Sequence, residues 1–298
     1  LSIGERAGVD LPYMAHLTGK TQEDLIQDLT GVIFPVPGTE PLCYVTADDY
    51  LSGNVRQKLR EAQAVAAEDA MFQPNVTALE AAQPKDLEAS EIDLRLGATW
   101  LDKSYIQQFM FELLQPAFYL RRQINVQYSP YTSEWRISGK SVISSQNVRA
   151  YMTFGTTRAN AYHILEDTLN LRDVRIYDTV LDADGTERRV LNQKETTLAQ
   201  QKQQAIKDAF QEWVWHDPAR RETLVAQYNE LFNSTRPREY DGQHIRFGGM
   251  NPEITLREHQ RNAVAHILYG GNTLLAHQVG AGKTFEMVAA CMESKRLG

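Results

Sequence analysis

The 298 residues contain only two cysteines, Cys43 and Cys291. They stand far apart, with no CxxC pair and no histidine at ligand spacing. That argues against a disulfide framework or a zinc site and fits a reducing, cytoplasmic setting. No stretch approaches the roughly eighteen consecutive apolar residues of a membrane-spanning helix. The opening LSIGERAGVD has no apolar stretch behind a basic one, so no secretory signal is expected in it. Internal repeats and low-complexity tracts are missing too. With 42% apolar and 23% charged residues, the chain is expected to fold rather than stay disordered.

Cations are also scarce, but unevenly. The net charge of −7 hides an acidic first part, residues 1–116, with 8 Lys and Arg against 18 Asp and Glu. Residues 117–160 reverse the balance: Arg121, Arg122, Arg136, Lys140, Arg149 and Arg158 stand against Glu134 alone. A local basic stretch inside an acidic chain says more about partners than the total does.

The reading along the chain is α+β. Residues 11–17 and 21–29 carry apolar side chains at helical spacing, separated by Gly19, with Thr21 and Asp24 placed for a capping box. Two helices across a glycine, then VIFPVP and CYVT as wing strands, have the outline of a winged helix. The second helix carries Glu23, Asp24 and Asp28, which repel phosphate, so a helical packing or docking module is the preferred expectation. One long helix is expected after Thr46, with Gly53 as its weak point. Residues 123–128 and 134–138 alternate as strands around Ser-Pro-Tyr-Thr. Residues 174–181 and 187–191, joined by Asp-Ala-Asp-Gly, predict a second hairpin, and two helices follow at 196–214 and 219–232. Composition suggests a helix-rich region at 1–116, an α+β connector at 117–232, and a Pro- and Gly-rich linker at 233–253. A final piece, 254–298, would be the truncated start of an ATPase lobe.

The chemistry is concentrated in that final piece. An apolar run at 273–276 leads into Val279-Gly280-Ala281-Gly282, then Lys283-Thr284 and a helix. Glycines allow successive amides to converge on one anion, and a helix N-terminus adds the positive end of its dipole. Lys283 would reach the β- and γ-phosphates of ATP, and the Thr284 hydroxyl would bind Mg²⁺. A full G-x-x-x-x-G-K-[ST] pattern needs glycine where His277 stands, so the match is to the shorter G-x-G-K-T form. The run at 273–276 is expected to be an interior strand of a parallel sheet whose neighbours are not among these residues.

Upstream, Leu256-Arg257-Glu258-His259-Gln260 opens an amphipathic helix. With Ala276 through Thr284 following about one helix later, the chain resembles the Swi/Snf-like branch of superfamily 2 helicases and translocases. The resemblance implies a RecA-like α/β lobe and places Gln260 on the adenine edge. The branch has an acidic pair where this chain has His277-Gln278. YLSGNVRQKL, LGATW, FGTTRANAYHILEDTLNL and RPREYDGQHIRFGGMNP narrow the likeness. They resemble the large phage and conjugative-element proteins that join an adenine-specific DNA methyltransferase to a helicase. The implied partners are DNA, the remaining motor lobes and an upstream methyltransferase domain.

No Asp-Glu pair of the second helicase motif occurs in the fourteen residues after Thr284, and no arginine finger. Hydrolysis needs such carboxylates to hold Mg²⁺ and orient water, so no complete catalytic set is expected here. Tyr128-Ser-Pro-Tyr131 faintly resembles the Asn-Pro-Pro-Tyr motif of methyltransferases, but a hairpin turn explains it. In 117–160 the cations interleave with Phe118, Tyr119, Tyr128, Tyr131, Trp135, Tyr151 and Phe154. Such interleaving makes sequence-tolerant nucleic-acid surfaces. It also arises when aromatics fill the core of a small sheet and arginines face water. Two functions stay open: a fragment of an ATP-dependent DNA motor that also contacts DNA, and a scaffold that docks the motor on its neighbour.

Overall fold

After a short α1 (Ser2–Arg6), side-chain caps start the next two helices. The Asp10 carboxylate accepts from the Tyr13 amide at 2.8 Å and opens α2 (Leu11–Thr18), with Pro12 in its first turn. Gly19, at φ 71°, ends it. Thr21 opens α3 (Gln22–Asp28), its hydroxyl accepting from the Asp24 amide at 3.1 Å and donating to the Asp24 carboxylate at 2.8 Å. Two strands follow, β1 (Ile33–Pro35) and β2 (Tyr44–Thr46), antiparallel with Ile33 opposite Thr46. Helix, turn, helix and hairpin is the winged-helix order of elements.

The stretch after Thr46 is two helices, not one. α4 (Ala47–Tyr50) stops, β3 (Gly53–Asn54) turns with Gly53 at φ 74°, and α5 (Val55–Ala66) begins under an Asn54 cap. Lys58 Nζ donates to the carbonyls of Asp49, Tyr50 and Ser52 at 3.1, 3.0 and 2.8 Å. A side chain thus satisfies carbonyls that another helical turn would have used. α6 (Gln73–Ala81) packs on α5, closing a core of Phe34, Tyr50, Val55, Ala62, Val76 and Leu79.

The computed structural model describes residues 1–140, 147–181 and 186–298. They form two compact units, Leu1–Asp86 with Asn229–Gly298, and Leu87–Tyr228. The second unit has its own apolar core. In it α7 (Lys103–Leu114) buries Ile106, Phe109, Met110 and Leu114, a spacing that puts them on one helical face. β4 (Asn125–Ser129) and β5 (Glu134–Ser138) pair antiparallel, with Gln127 opposite Arg136 and Tyr128 opposite Trp135. α8 (Ala161–Leu169) covers the inner face of this hairpin, where Val126, Trp135 and Ile137 are buried. β6 (Tyr177–Leu181) and β7 (Glu187–Leu191) form the second expected hairpin, though its Asp-Ala-Asp-Gly turn lies outside the described residues. α9 (Gln193–His216) and α10 (Pro218–Phe232) part at Asp217, whose carboxylate accepts from the Arg220 amide at 2.7 Å.

Residues 233–253 do more than tether. β8 (Thr235–Arg236) pairs with β3, Arg238 bonds Asp49 at 2.7 Å, and Ile245 is buried with Leu256 and Val264. The chain ends with α11 (Glu258–Gly270) and α12 (Lys283–Leu297). The strand expected at 273–276 is not in any sheet: among the described residues all named strands pair in twos, antiparallel, and none lies beside it. Its side chains do alternate, Thr273 and Leu275 half-buried against Leu274 and Ala276 exposed. The residues have strand-like periodicity, but a strand needs a hydrogen-bonding neighbour. The fold class is α+β. No described helix is long and apolar enough to cross a membrane.

Candidate nucleotide-phosphate site

Gln260 occupies the third position of α11, where its carboxamide can turn back on the helix start. Its Oε1 accepts from the Arg257 amide at 2.9 Å, while Nε2 donates to the Ala281 carbonyl at 3.0 Å. His259 Nε2 lies 3.1 Å from the same carbonyl. α11 thereby holds the glycine loop directly. Gly282 is the residue before α12, at φ 88°. The backbone angle favours glycine, and a Cβ there would stand 2.2 Å from Gln260 Nε2, displacing that side chain. Gly280 shares φ 88° but faces open space, so only its angle matters.

Lys283 begins α12, and its ammonium is turned onto the loop. Nζ donates to the His277 carbonyl at 2.8 Å and the Gln278 carbonyl at 3.1 Å. The Thr284 side chain is exposed at the helix start. Ala289 and Ala290 seat α12 against Val264 and Ala265 of α11. Of the residues expected from sequence, the structure brings Gln260, Ala281, Gly282 and Lys283 together, with Gly280 and Thr284 flanking.

Sequence reasoning missed a second layer. His277 Nδ1 lies 3.0 and 3.2 Å from the two carboxylate oxygens of Glu286, whose side chain is wholly buried. The His259 ring meets the His277 ring edge-on, with centroids 5.7 Å apart. In the sequence His277 stands out only as a departure, from the glycine of the full phosphate-loop pattern and from the acidic pair of the helicase branch. Glu286 sits three residues past Lys283, on the inner face of α12, and that spacing was the available signal.

The basic stretch divides into paired and exposed cations. Lys140 pairs with Glu166 at 2.6 Å, and the Glu166 carboxylate also accepts from the Ile137 amide at 2.6 Å. Burial pushes Glu166 up, but the Lys140 and Ile137 hydrogen bonds and nearby positive charge outweigh it, leaving the carboxyl below its ordinary range. Arg158 bonds Asp178 at 2.8 Å and the Tyr177 carbonyl at 3.0 Å. Arg149 donates to the Leu113 carbonyl at 3.0 Å. These three serve the fold. Tyr128 and Trp135 pack on each other, with centroids 4.6 Å apart. Arg121, Arg122 and Arg136 are exposed, as are Phe118, Tyr119 and Tyr131.

Comparison with known proteins adds two domain matches. Residues 95–234 match a family described only as a domain of unknown function. The chain is 32% identical over 85 residues to the defense against restriction protein B of Escherichia phage P1. That match takes in 28% of this chain and 4% of the relative's length. No solved structure matches. Residues 1–45 match the family described as "Probable helicase, winged helix domain", which favours a winged helix there over the expected plain docking module.

Proposed function

We propose that this chain supplies the ATP phosphate-binding loop of a nucleic-acid motor, joined to a connector that contacts DNA. The observation that carries the reading is the meeting of Gln260 with the glycine loop, Nε2 to the Ala281 carbonyl at 3.0 Å, beside Lys283 at the start of α12. The loop suits a polyphosphate: glycine is favoured at Gly282, a helix N-terminus faces it, and a lysine ammonium rests on exchangeable carbonyl bonds. Lys283 would hold the β- and γ-phosphates, Thr284 the Mg²⁺, and Gln260 the adenine edge. Bound MgATP would supply the phosphoryl group whose transfer drives such motors. The remaining motor lobes and a methyltransferase, as in the fusion proteins the sequence resembles, would be partners.

DNA contact is assigned to the exposed part of 117–160, not to the winged helix. Residues 21–55 contain no lysine or arginine, while α3 presents Glu23 and Asp24. Like charges make that face a poor phosphate binder, which favours a second role for residues 1–45 in docking protein. Titration with a fluorescent ATP analogue and Mg²⁺ tests the site. Lys283→Ala should weaken binding at least tenfold, and Gln260→Ala should erase any preference for ATP over GTP. Unchanged affinity in Lys283→Ala would remove the reading.

A further inference from the structure

Large exposed aromatics are individually ordinary, but two adjacent ones held out by an anchored turn are not. Phe118 and Tyr119 are 78% and 71% exposed on a 3-10 turn, Phe118–Leu120. Their neighbour Leu120 is buried and fixes the turn, and its amide donates to the Ala117 carbonyl at 2.9 Å. Arg121 and Arg122 follow at once, both exposed. Arg121 also lines a groove along α7 of about 970 Å³, together with Lys103, Gln107, Gln108 and Phe111. Its guanidinium carbon is 5.8 Å from the centre of the Phe111 ring. The carboxylate in the groove, Glu112, accepts from Trp213 Nε1 at 2.5 Å and Gln108 Nε2 at 2.9 Å. The cations that line the groove beside it are Lys103 and Arg121.

We infer that this turn and groove hold unpaired, single-stranded nucleic acid. Bases stack on Phe118 and Tyr119, and phosphates run past Arg121, Arg122 and Lys103. The inference rests on the reading that the chain acts on nucleic acid, and adds the strand form and the residues that select it. Paired bases are already stacked on each other and offer no free face to a side chain on a short turn. An unpaired base does, whatever its identity. A protein partner for two aromatics would not call for the cations beside them, whereas a polyanion does.

The test is anisotropy titration of the full chain with labelled oligothymidine, oligouridine and a mixed-sequence duplex, over a range of salt. Oligothymidine or oligouridine should bind more tightly than the duplex, and the tighter of the two identifies DNA or RNA as the source. Phe118→Ala with Tyr119→Ala should weaken single-strand binding about tenfold, with an unchanged salt slope. Phe118→Tyr with Tyr119→Phe should preserve it. Arg121→Ala with Arg122→Ala should instead lower the log–log salt slope by about 0.7 for each phosphate no longer neutralised. Equal affinity for duplex, or no effect of the aromatic double variant, overturns this inference and leaves the broader reading intact. No binding to any of the three by a chain with native circular dichroism overturns both.

Discussion

His277, its side chain 33% exposed, lies against the wholly buried carboxylate of Glu286, with Nδ1 placed 3.0 and 3.2 Å from its two oxygens. The pair ties the segment before the loop to the first turn of α12. The His277 carbonyl, on the same residue, accepts from Lys283 Nζ. One residue therefore locks the backbone with its side chain and holds the lysine with its main chain. The Glu286 side chain has no exposure, and the His277 imidazole lies against its carboxylate.

Removing His277 should thus cost more than a surface histidine normally does. His277→Ala is expected to destabilise the chain by about 1–3 kcal/mol, the range for stranding a buried acceptor. Adding Glu286→Gln should recover part of the loss, because a neutral amide needs no counter-charge. Urea unfolding of the single and double variants measures this. A single variant as stable as the parent would mean the pair does not form.

The two loop glycines should respond differently to alanine. Gly280→Ala suffers only from its left-handed backbone, about 1–2 kcal/mol. Gly282→Ala adds a Cβ at 2.2 Å from Gln260 Nε2, breaking the bond to Ala281 as well. The second variant should lose more stability and more nucleotide affinity. Equal effects in thermal melts and nucleotide titrations would show that Gln260 does not pack against the loop.

These 298 residues should not turn over ATP, with or without DNA, since no acidic pair follows the loop within them. A coupled phosphate-release assay checks this. Robust turnover abolished by Lys283→Ala would show that carboxylates elsewhere in the chain complete the site.

Lys140 should matter most above the carboxylate range. The folded state holds Glu166 below its ordinary 4.5, so this contribution is present above that value and is lost as pH falls through the folded pKa. Lys140→Ala is expected to cost about 1–2 kcal/mol at neutral pH, with the gap closing in acid. A gap independent of pH in denaturant titrations would assign the loss to packing.

Tyr162 gives a test of the core. Its side chain is buried in the Leu87–Tyr228 unit, its hydroxyl finds no partner among the described residues, and burial pushes the phenol up to about 12. Tyr162→Phe should raise stability by about 1 kcal/mol, since an unmet buried hydroxyl is a cost. A drop in melting temperature would mean that the hydroxyl is bonded.

Local signals carried much of the structure. The Thr21 cap and the strand alternation of residues 123–128 and 134–138 depend on neighbours a few residues away, and the folded chain uses each as read. The G-x-G-K-T run was legible for the same reason, and Gln260 through the resemblance of its segment to the helicase branch. What sequence alone could not decide was which partners meet across long separations. Gly53, where the helix breaks, pairs with the distant Arg236, and residues 273–276 stay outside every described sheet because no described strand pairs with them. Lys140 and Arg158 read as free cations until Glu166 and Asp178 were brought to them, while Phe118 and Tyr119 remained outside the core. Local order follows from backbone preference and side-chain period, which the sequence contains directly. Pairing, burial and the availability of a charge depend on the tertiary fold that brings distant residues together.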